Sequence, residues 1–132
     1  MRHVSILSIL LLAAFALIAA QCGGGDNGEP LTSGIEGLVT IGPMCPVEQI
    51  DTPCPDQPYQ ATLVVTDLQG DEVARTESGE DGRYRFELAP GTYTLVPWSP
   101  SQGGMPSAPE RQVEVREGLF TTADVQYDSG IR

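Results

Sequence analysis

Apolar and polar residues alternate along most of the chain after residue 33, and this period of two constrains the fold more than any other feature. The segment RYRFEL at 83–88 places Tyr84, Phe86 and Leu88 on one face and charged side chains on the other. Such alternation is typical of a β-strand with one buried and one solvated face. A helix would need apolar residues three and four positions apart, and no window supplies that spacing convincingly. The alternation recurs in the segments 34–41, 61–68, 91–98, 111–117 and 122–127.

Short turn signals separate these segments. Glycines suited to a positive φ lie in LQGD at 68–71 and in GEDGR at 79–83, and further turns lie in APG at 89–91 and REGL at 116–119. Because each sheet of such strands has one apolar face to bury, two sheets must stack. We therefore predict an all-β fold over 34–132, a single seven-stranded antiparallel β-sandwich. A domain of about 100 residues can bury a core of its own.

The N-terminus has the composition of an export signal. A positively charged start at 1–3 precedes an apolar stretch at 4–20 that ends in small residues. These features describe a secretory signal peptide. The apolar stretch is also nearly long enough to span a bilayer. An uncleaved membrane anchor is therefore a competing interpretation, and ordinary secretion is a third.

Cys22 lies two residues beyond the end of the apolar stretch, within IAAQCGGG at 18–25. This arrangement resembles the signal of bacterial lipoproteins, in which a peptidase cuts before a cysteine that then carries a diacylglyceryl group. The resemblance implies a signal peptide over 1–21, lipidation at Cys22 and a membrane as partner. Gln21 stands where that family commonly has Gly or Ala. Two or three acyl chains anchor a protein stably, whereas a single chain does not.

The segment GGGDNGEPLTS at 23–33 is rich in glycine and polar residues. That composition is typical of a flexible linker, and a Gly-rich coil of eleven residues spans roughly 18 Å. We therefore expect residues 22–33 to form a lipidated tether that holds the folded domain just clear of the lipid headgroups.

The segment GPMCPVEQIDTPCPDQP at 42–58 interrupts the alternation with five prolines, which are disfavoured in central strands. Setting Cys22 aside leaves Cys45 and Cys54, and an even number of cysteines in an exported protein predicts a disulfide. We refer to 42–58 as the disulfide loop. It is either a plain crossover between strands or a constrained recognition surface. Preorganisation lowers the entropic cost of binding, so the loop could also act as a protease inhibitor.

Two surfaces are therefore candidates for binding. The tip of the disulfide loop displays Glu48, Gln49, Ile50 and Asp51. The second surface is a Pro-, Ser- and Gly-rich loop that begins at Trp98, the single tryptophan, and contains Met105. Trp98 either caps the sandwich core or anchors a sugar or a peptide, because an aromatic ring offers a large contact area with a polar handle.

Most enzyme chemistry is excluded by composition. Residues 22–132 contain no histidine and no lysine, which removes the most common general base and Schiff-base chemistry. The spacing of Cys45 and Cys54 suits no common zinc site. We predict no catalytic residue, no metal and no cofactor. The formal net charge of −11 also argues against nucleic acid as a partner, since that affinity depends on Lys and Arg neutralising phosphates.

Three segments together resemble carboxypeptidase regulatory-like domains, which are relatives of transthyretin-like and Cna B-type sandwiches. They are GIEGLVT at 34–40, ATLVVTDLQG at 61–70 and SGEDGRYRFELAPGTYTL at 78–95. The resemblance covers roughly 34–97, and its most specific parts are DGRY at 81–84 and APGTY at 89–93. It implies a prealbumin-like or immunoglobulin-like sandwich that serves as a non-catalytic spacer or binding platform.

Taken together, these features predict a lipid-anchored protein of the bacterial cell membrane or cell surface. We expect a structural role or the binding of an envelope protein or a carbohydrate. The alternative is an inhibitor or sensor of an envelope peptidase that acts through the Cys45–Cys54 loop.

Overall fold

The computed structural model describes residues 30–47, 50–100 and 102–132. Residues 1–21, Cys22 and most of the expected tether lie outside the described residues, as do Glu48 and Gln49. The described part contains strands and no helix. The strands are β1 (Gly34–Gly42), β2 (Gln57–Pro58), β3 (Thr62–Thr66), β4 (Glu72–Glu77), β5 (Arg83–Glu87), β6 (Gly91–Pro97), β7 (Arg111–Val115), β8 (Phe120–Thr122) and β9 (Val125–Asp128).

These strands form two sheets. In the first sheet, the beginning of β1 pairs with β5 and β8, and its second half pairs with β2 and β9. The second sheet has the order β4-β3-β6-β7 and is antiparallel throughout. The apolar faces of the two sheets are buried against each other, so the predicted β-sandwich is confirmed.

Strand number and direction differ from the prediction of seven antiparallel strands. The described residues form nine strands, and β1 pairs in parallel with β8 and β9. Alternation reports only which faces are buried, and a parallel strand with one wet face has the same period. The predicted strand over 122–127 is also divided in two. The break lies at Asp124, whose carboxylate Oδ1 accepts the Leu38 N–H at 2.9 Å in place of a main-chain partner.

The sequence EVARTE of β4 was not predicted as a strand. It lies at the edge of the second sheet, where only Ala74 and Thr76 are half-buried. Alternation is weak on such a strand because neither face is fully covered. Charged side chains on an exposed edge also discourage pairing with other chains.

The core consists of the residues that the alternation places on the inner faces. Its fully buried side chains include Ile35, Leu63, Leu95 and Tyr127. The Tyr127 ring packs edge-on against Tyr59 with centroids 5.0 Å apart. Among the described residues, the buried hydrophobic cluster begins at residue 35 and ends at residue 127. A chain that starts at Cys22 therefore keeps this whole cluster.

β1 crosses the sandwich and defines its two ends. Nine residues of strand extend about 26 Å at roughly 3.3 Å per residue. We call the end at Gly34 the proximal end and the end at Gly42 the distal end. At the proximal end, Ser33 is 3% exposed, and its hydroxyl donates to the Leu88 carbonyl at 2.7 Å. Ser33 thus belongs to the folded domain, one residue earlier than the predicted boundary.

Candidate binding surface at the distal end

The disulfide loop leaves and returns at the distal end of β1. Ile41 pairs with Gln57 and Thr40 pairs with Pro58. The loop therefore leaves the end of β1 and returns to pair with the same strand through β2. A disulfide joins Cys45 and Cys54 with their Cα atoms 6.1 Å apart, as predicted. The loop is thus closed twice, once by the strand pair at its base and once by the disulfide nearer its tip.

Apolar side chains of this loop face solvent. The exposed fractions are 38% for Met44, 74% for Val47 and 102% for Ile50. Asp51, beside Ile50, is also exposed. Removing such side chains from water is favourable by roughly 25 cal/mol per Å² of apolar area. A partner that covered them would gain that free energy.

The second loop, at 98–110, starts from a fixed backbone. The Trp98 N–H donates to the Thr62 carbonyl at 2.9 Å, and the Trp98 carbonyl accepts the Tyr127 hydroxyl at 2.8 Å. The side chain of Trp98 is nevertheless 51% exposed, and that of Met105 is 49% exposed. Trp98 therefore combines a main chain tied to the core with an aromatic ring that half faces solvent.

The last residues of the chain bring the two loops together. Asp128 exchanges both main-chain hydrogen bonds with Ser107, at 3.1 and 2.7 Å. The next residue, Ser129, donates its N–H to the Gly42 carbonyl at 2.9 Å and its hydroxyl to the Pro43 carbonyl. Gly130 then lies against Met105, since a Cβ added there would be 2.8 Å from Met105 Cγ. Residues 128–130 thus join the disulfide loop to the loop at 98–110.

Sequence reasoning missed this role of the C-terminal residues. The segment DSGIR at 128–132 has neither alternation nor a motif, and both its partners are distant in sequence. Within the segment, Arg132 Nη2 forms an ion pair with Asp128 Oδ2 at 2.7 Å. The Arg132 guanidinium, together with the Gly130 N–H, lowers the pKa of Asp128 to about 2. Asp128 therefore stays ionised at neutral pH.

The candidate side chains from the two loops lie at one end of the sandwich. We call this set the distal surface and define it as Met44, Val47, Ile50, Asp51, Trp98 and Met105. Glu48 and Gln49, which the sequence also nominates, lie outside the described residues.

Among the described residues, no group of three His, Cys, Asp or Glu side chains is close enough together to hold a metal ion. A shallow groove runs beside β9, and its polar lining includes Arg111, Asp124 and Gln126. Arg111 Nη1 donates there to the Asp124 carbonyl at 3.3 Å, and Gln126 Nε2 donates to Asp56. The Arg111 guanidinium and the Gln126 amide are thus each hydrogen-bonded to other groups of the protein. Across this same part of the chain, no helix is long and apolar enough to cross a membrane.

The two stacked sheets and the loops at their distal end define a β-sandwich module. The sequence profile of the carboxypeptidase regulatory-like domain matches residues 57–128, more than half of the chain. The chain therefore belongs to the carboxypeptidase regulatory-like domain family. The match begins at β2 and includes neither β1 nor most of the disulfide loop.

A solved structure shows the same fold. The minor pilin GBS52 of Streptococcus agalactiae superposes with a TM-score of 0.53 at 16% identity, over 74% of this chain and 44% of the pilin. This chain thus spans less than half the length of that pilin. The TIE protein of Bacillus anthracis gives a TM-score of 0.48 at 22% identity, over 72% of this chain and 18% of that protein. No curated protein sequence matches significantly.

Proposed function

We propose that this protein is a lipid-anchored, non-catalytic module of the cell envelope that presents its distal surface away from the membrane. The observation that carries the proposal is the placement of the two ends. The segment with Cys22 and the Gly-rich linker enters the sandwich at Gly34, whereas the two candidate loops meet beyond Gly42. The membrane attachment and the distal surface are thus at opposite ends of the domain.

The distances fit such an arrangement. A Gly-rich linker of about ten residues spans roughly 16–19 Å as a coil. The domain adds about 26 Å along β1. The distal surface would then lie several tens of ångströms from Cys22, within reach of proteins or carbohydrates of the envelope.

A non-catalytic role agrees with two observations. The family to which the chain belongs is a domain type that accompanies other activities as a spacer or binding platform. Residues 22–132 also lack the histidine and lysine on which most general-base and Schiff-base chemistry depends. The role is therefore structural, or it is the binding of a partner at the distal surface.

Anchoring can be tested by expressing the full chain in a bacterial host and determining the mature N-terminus by mass spectrometry. We expect the wild type in the membrane fraction, beginning at a Cys22 that carries lipid. Cys22→Ser should lose the lipid and keep residues 1–21, whereas Cys45→Ser, a matched change at another cysteine, should still be lipidated. A soluble wild type with a free Cys22 thiol would overturn the proposal. An unlipidated wild type that retains residues 1–21 would do so as well.

A second function is favoured by one observation, the full exposure of Ile50 in a disulfide-closed loop flanked by prolines. Such a loop can occupy the substrate cleft of an envelope peptidase, because little entropy is lost on binding. If the protein is an inhibitor, it should inhibit an envelope peptidase, and reduction of the disulfide should abolish the inhibition. Inhibition that persists after reduction would contradict a role for the loop's closed form.

A further inference from the structure

We propose that the distal surface binds a polypeptide partner that presents Lys or Arg side chains beside aromatic or aliphatic ones. This inference rests on the proposed function, since it names the kind of partner for the surface held away from the membrane. It follows from the apolar side chains, the charges and the rigidity of the distal end.

The two distal loops carry several exposed apolar side chains. Ten large hydrophobic side chains are exposed among the described residues, and five of them lie in these loops. They are Met44, Val47, Ile50, Trp98 and Met105. Tryptophan and methionine are enriched at protein–protein interfaces. The unbranched Met side chain also adapts its shape to a partner.

The charged side chains within the two loops are of one sign. The loops at 42–58 and 98–110 contain no lysine or arginine, whereas Asp51, Asp56 and Glu110 are exposed in them. Of the two arginines that flank the loops, Arg132 is ion-paired with Asp128, and Arg111 donates one N–H to the Asp124 carbonyl. The complement of an apolar surface with an acidic border is an apolar surface with a basic border. Such complementarity speeds encounter and selects partners.

The side-chain types favour a polypeptide over a carbohydrate. One aromatic ring is accompanied by four aliphatic or thioether side chains, which sugars cover poorly and protein side chains cover well. The loops are also held before binding, by the Cys45–Cys54 bridge and by the contacts of Asp128 and Ser129. Preorganisation of this kind reduces the entropy lost on association.

The test is selection from a phage-displayed library of random dodecapeptides. Residues 22–132 are coupled to a support through Cys22, so that the distal end faces the library as it would face the envelope. Enriched peptides should combine Lys or Arg with aromatic or aliphatic residues. A synthetic copy of the dominant peptide should bind in solution, with an affinity that falls as salt concentration rises.

Variants with matched controls then locate the binding site. Ile50→Ser and Trp98→Ser should each weaken binding of the synthetic peptide about tenfold or more, as central interface residues do. Leu119→Ser removes a leucine that is 58% exposed, close to the 51% of Trp98. Leu119 lies at the proximal end, where its carbonyl accepts the Gly34 N–H, and this change should leave binding unchanged. Asp51→Asn should reduce the salt dependence, whereas Glu117→Gln in the proximal turn should not. Circular dichroism verifies that each variant is folded.

Several outcomes would overturn the inference. They are the absence of any enriched peptide, enrichment of peptides without basic residues, and equal losses from Leu119→Ser and Trp98→Ser. Equal effects of Glu117→Gln and Asp51→Asn would show only the general attraction of a cationic peptide to an acidic protein. Binding to a glycan array that Trp98→Ser abolishes, without peptide enrichment, would assign the surface to carbohydrates instead. Processing at Cys22 is measured separately, so the proposed anchor and this inference can fail independently.

Discussion

At the scale of single residues, Gly37 stands where two segments of main chain nearly touch. A Cβ at this position would lie 2.5 Å from the Ala123 carbonyl oxygen, because the chain between β8 and β9 crosses there. We expect Gly37→Ala to lower the free energy of unfolding by about 1–3 kcal/mol, the usual cost of overpacking. In Gly91→Ala the new Cβ would be 3.6 Å from its nearest neighbour, so little should change. Urea unfolding followed by Trp98 fluorescence measures the stability of both variants. Equal losses of unfolding free energy would contradict the close approach of the two main-chain segments at Gly37.

Ser78 is a buried polar residue that ties two strands together. Its side chain is 1% exposed, accepts the Ala61 N–H at 2.9 Å and donates to the Tyr59 carbonyl at 2.9 Å. We expect Ser78→Ala to cost about 1–3 kcal/mol of unfolding free energy, because both main-chain groups lose a buried partner. Ser107→Ala, which removes only a contact with the Met105 sulfur, is the control. A Ser78→Ala protein as stable as the wild type would show that these hydrogen bonds contribute little.

Because of two buried tyrosines, we expect the stability of the fold to fall at alkaline pH. Burial raises the pKa of the Tyr127 hydroxyl to about 12, and burial also raises the pKa of Tyr84 above its ordinary value of 10. Below pH 10 both hydroxyls are neutral in the folded and in the unfolded chain. Their contribution to the free energy of unfolding is therefore fully present. Between pH 10 and 12 the unfolded chain ionises first, and stability falls.

Urea midpoints at pH 8, 9, 10 and 11 test this dependence. We expect no tyrosine-dependent change from pH 8 to 9 and a fall above pH 10. Tyr127→Phe and Tyr84→Phe should each reduce the steepness of that fall. If neither substitution altered the profile above pH 10, the loss of stability would have another origin.

Some residue-level features follow from the sequence, and others depend on distant partners. The turns at 79–83 and 116–119 were predicted from their glycines, and Gly82 and Gly118 have φ values of +78° and +71°. The burial of Ser78 was not predictable, because its partners lie 17 and 19 residues away. Ile50 was nominated from its place at the tip of the disulfide loop and Trp98 from its residue type, but their exposure follows from how the loops fold.

At the scale of elements, alternation predicted the faces of the strands but not their order or direction. The buried residues of β5 and β7 were assigned correctly, because both strands have one covered and one wet face. The parallel pairing of β1 with β9 depends on where the chain crosses between sheets, which a period of two does not encode. Likewise, the meeting of the two distal loops depends on residues 128–130, whose sequence carries no pattern.

The disulfide loop is the element whose contribution can be removed most simply. The double variant Cys45→Ser and Cys54→Ser should lose about 2–3 kcal/mol of unfolding free energy, the chain-entropy value for a ring of about ten residues. The β-sheet circular dichroism spectrum should persist, because the core contains neither cysteine. A reducing agent should destabilise the wild type and leave the double variant unchanged. A wild type with the same urea midpoint before and after reduction would contradict a stabilising role for the bridge.

At the scale of the whole molecule, β1 connects the proposed membrane attachment to the proposed binding surface. Its first residue follows the linker, and its last residue leads into the disulfide loop. The family match begins after this strand, at β2, yet β1 pairs with four other strands and forms the centre of its sheet. One strand thereby holds the proposed membrane attachment and the proposed binding surface at opposite ends of the same rigid domain.

Paramagnetic relaxation from spin-labelled lipid headgroups, with the lipidated protein in nanodiscs, tests this orientation most directly. We expect the amide signals of Ser33, Leu88 and Leu119 at the proximal end to broaden more than those of Ile50, Trp98 and Met105. The difference should vanish for a chain of residues 23–132, which lacks both Cys22 and the apolar stretch at 4–20. Equal broadening at both ends of the anchored protein, or stronger broadening at the distal surface, would contradict the proposal.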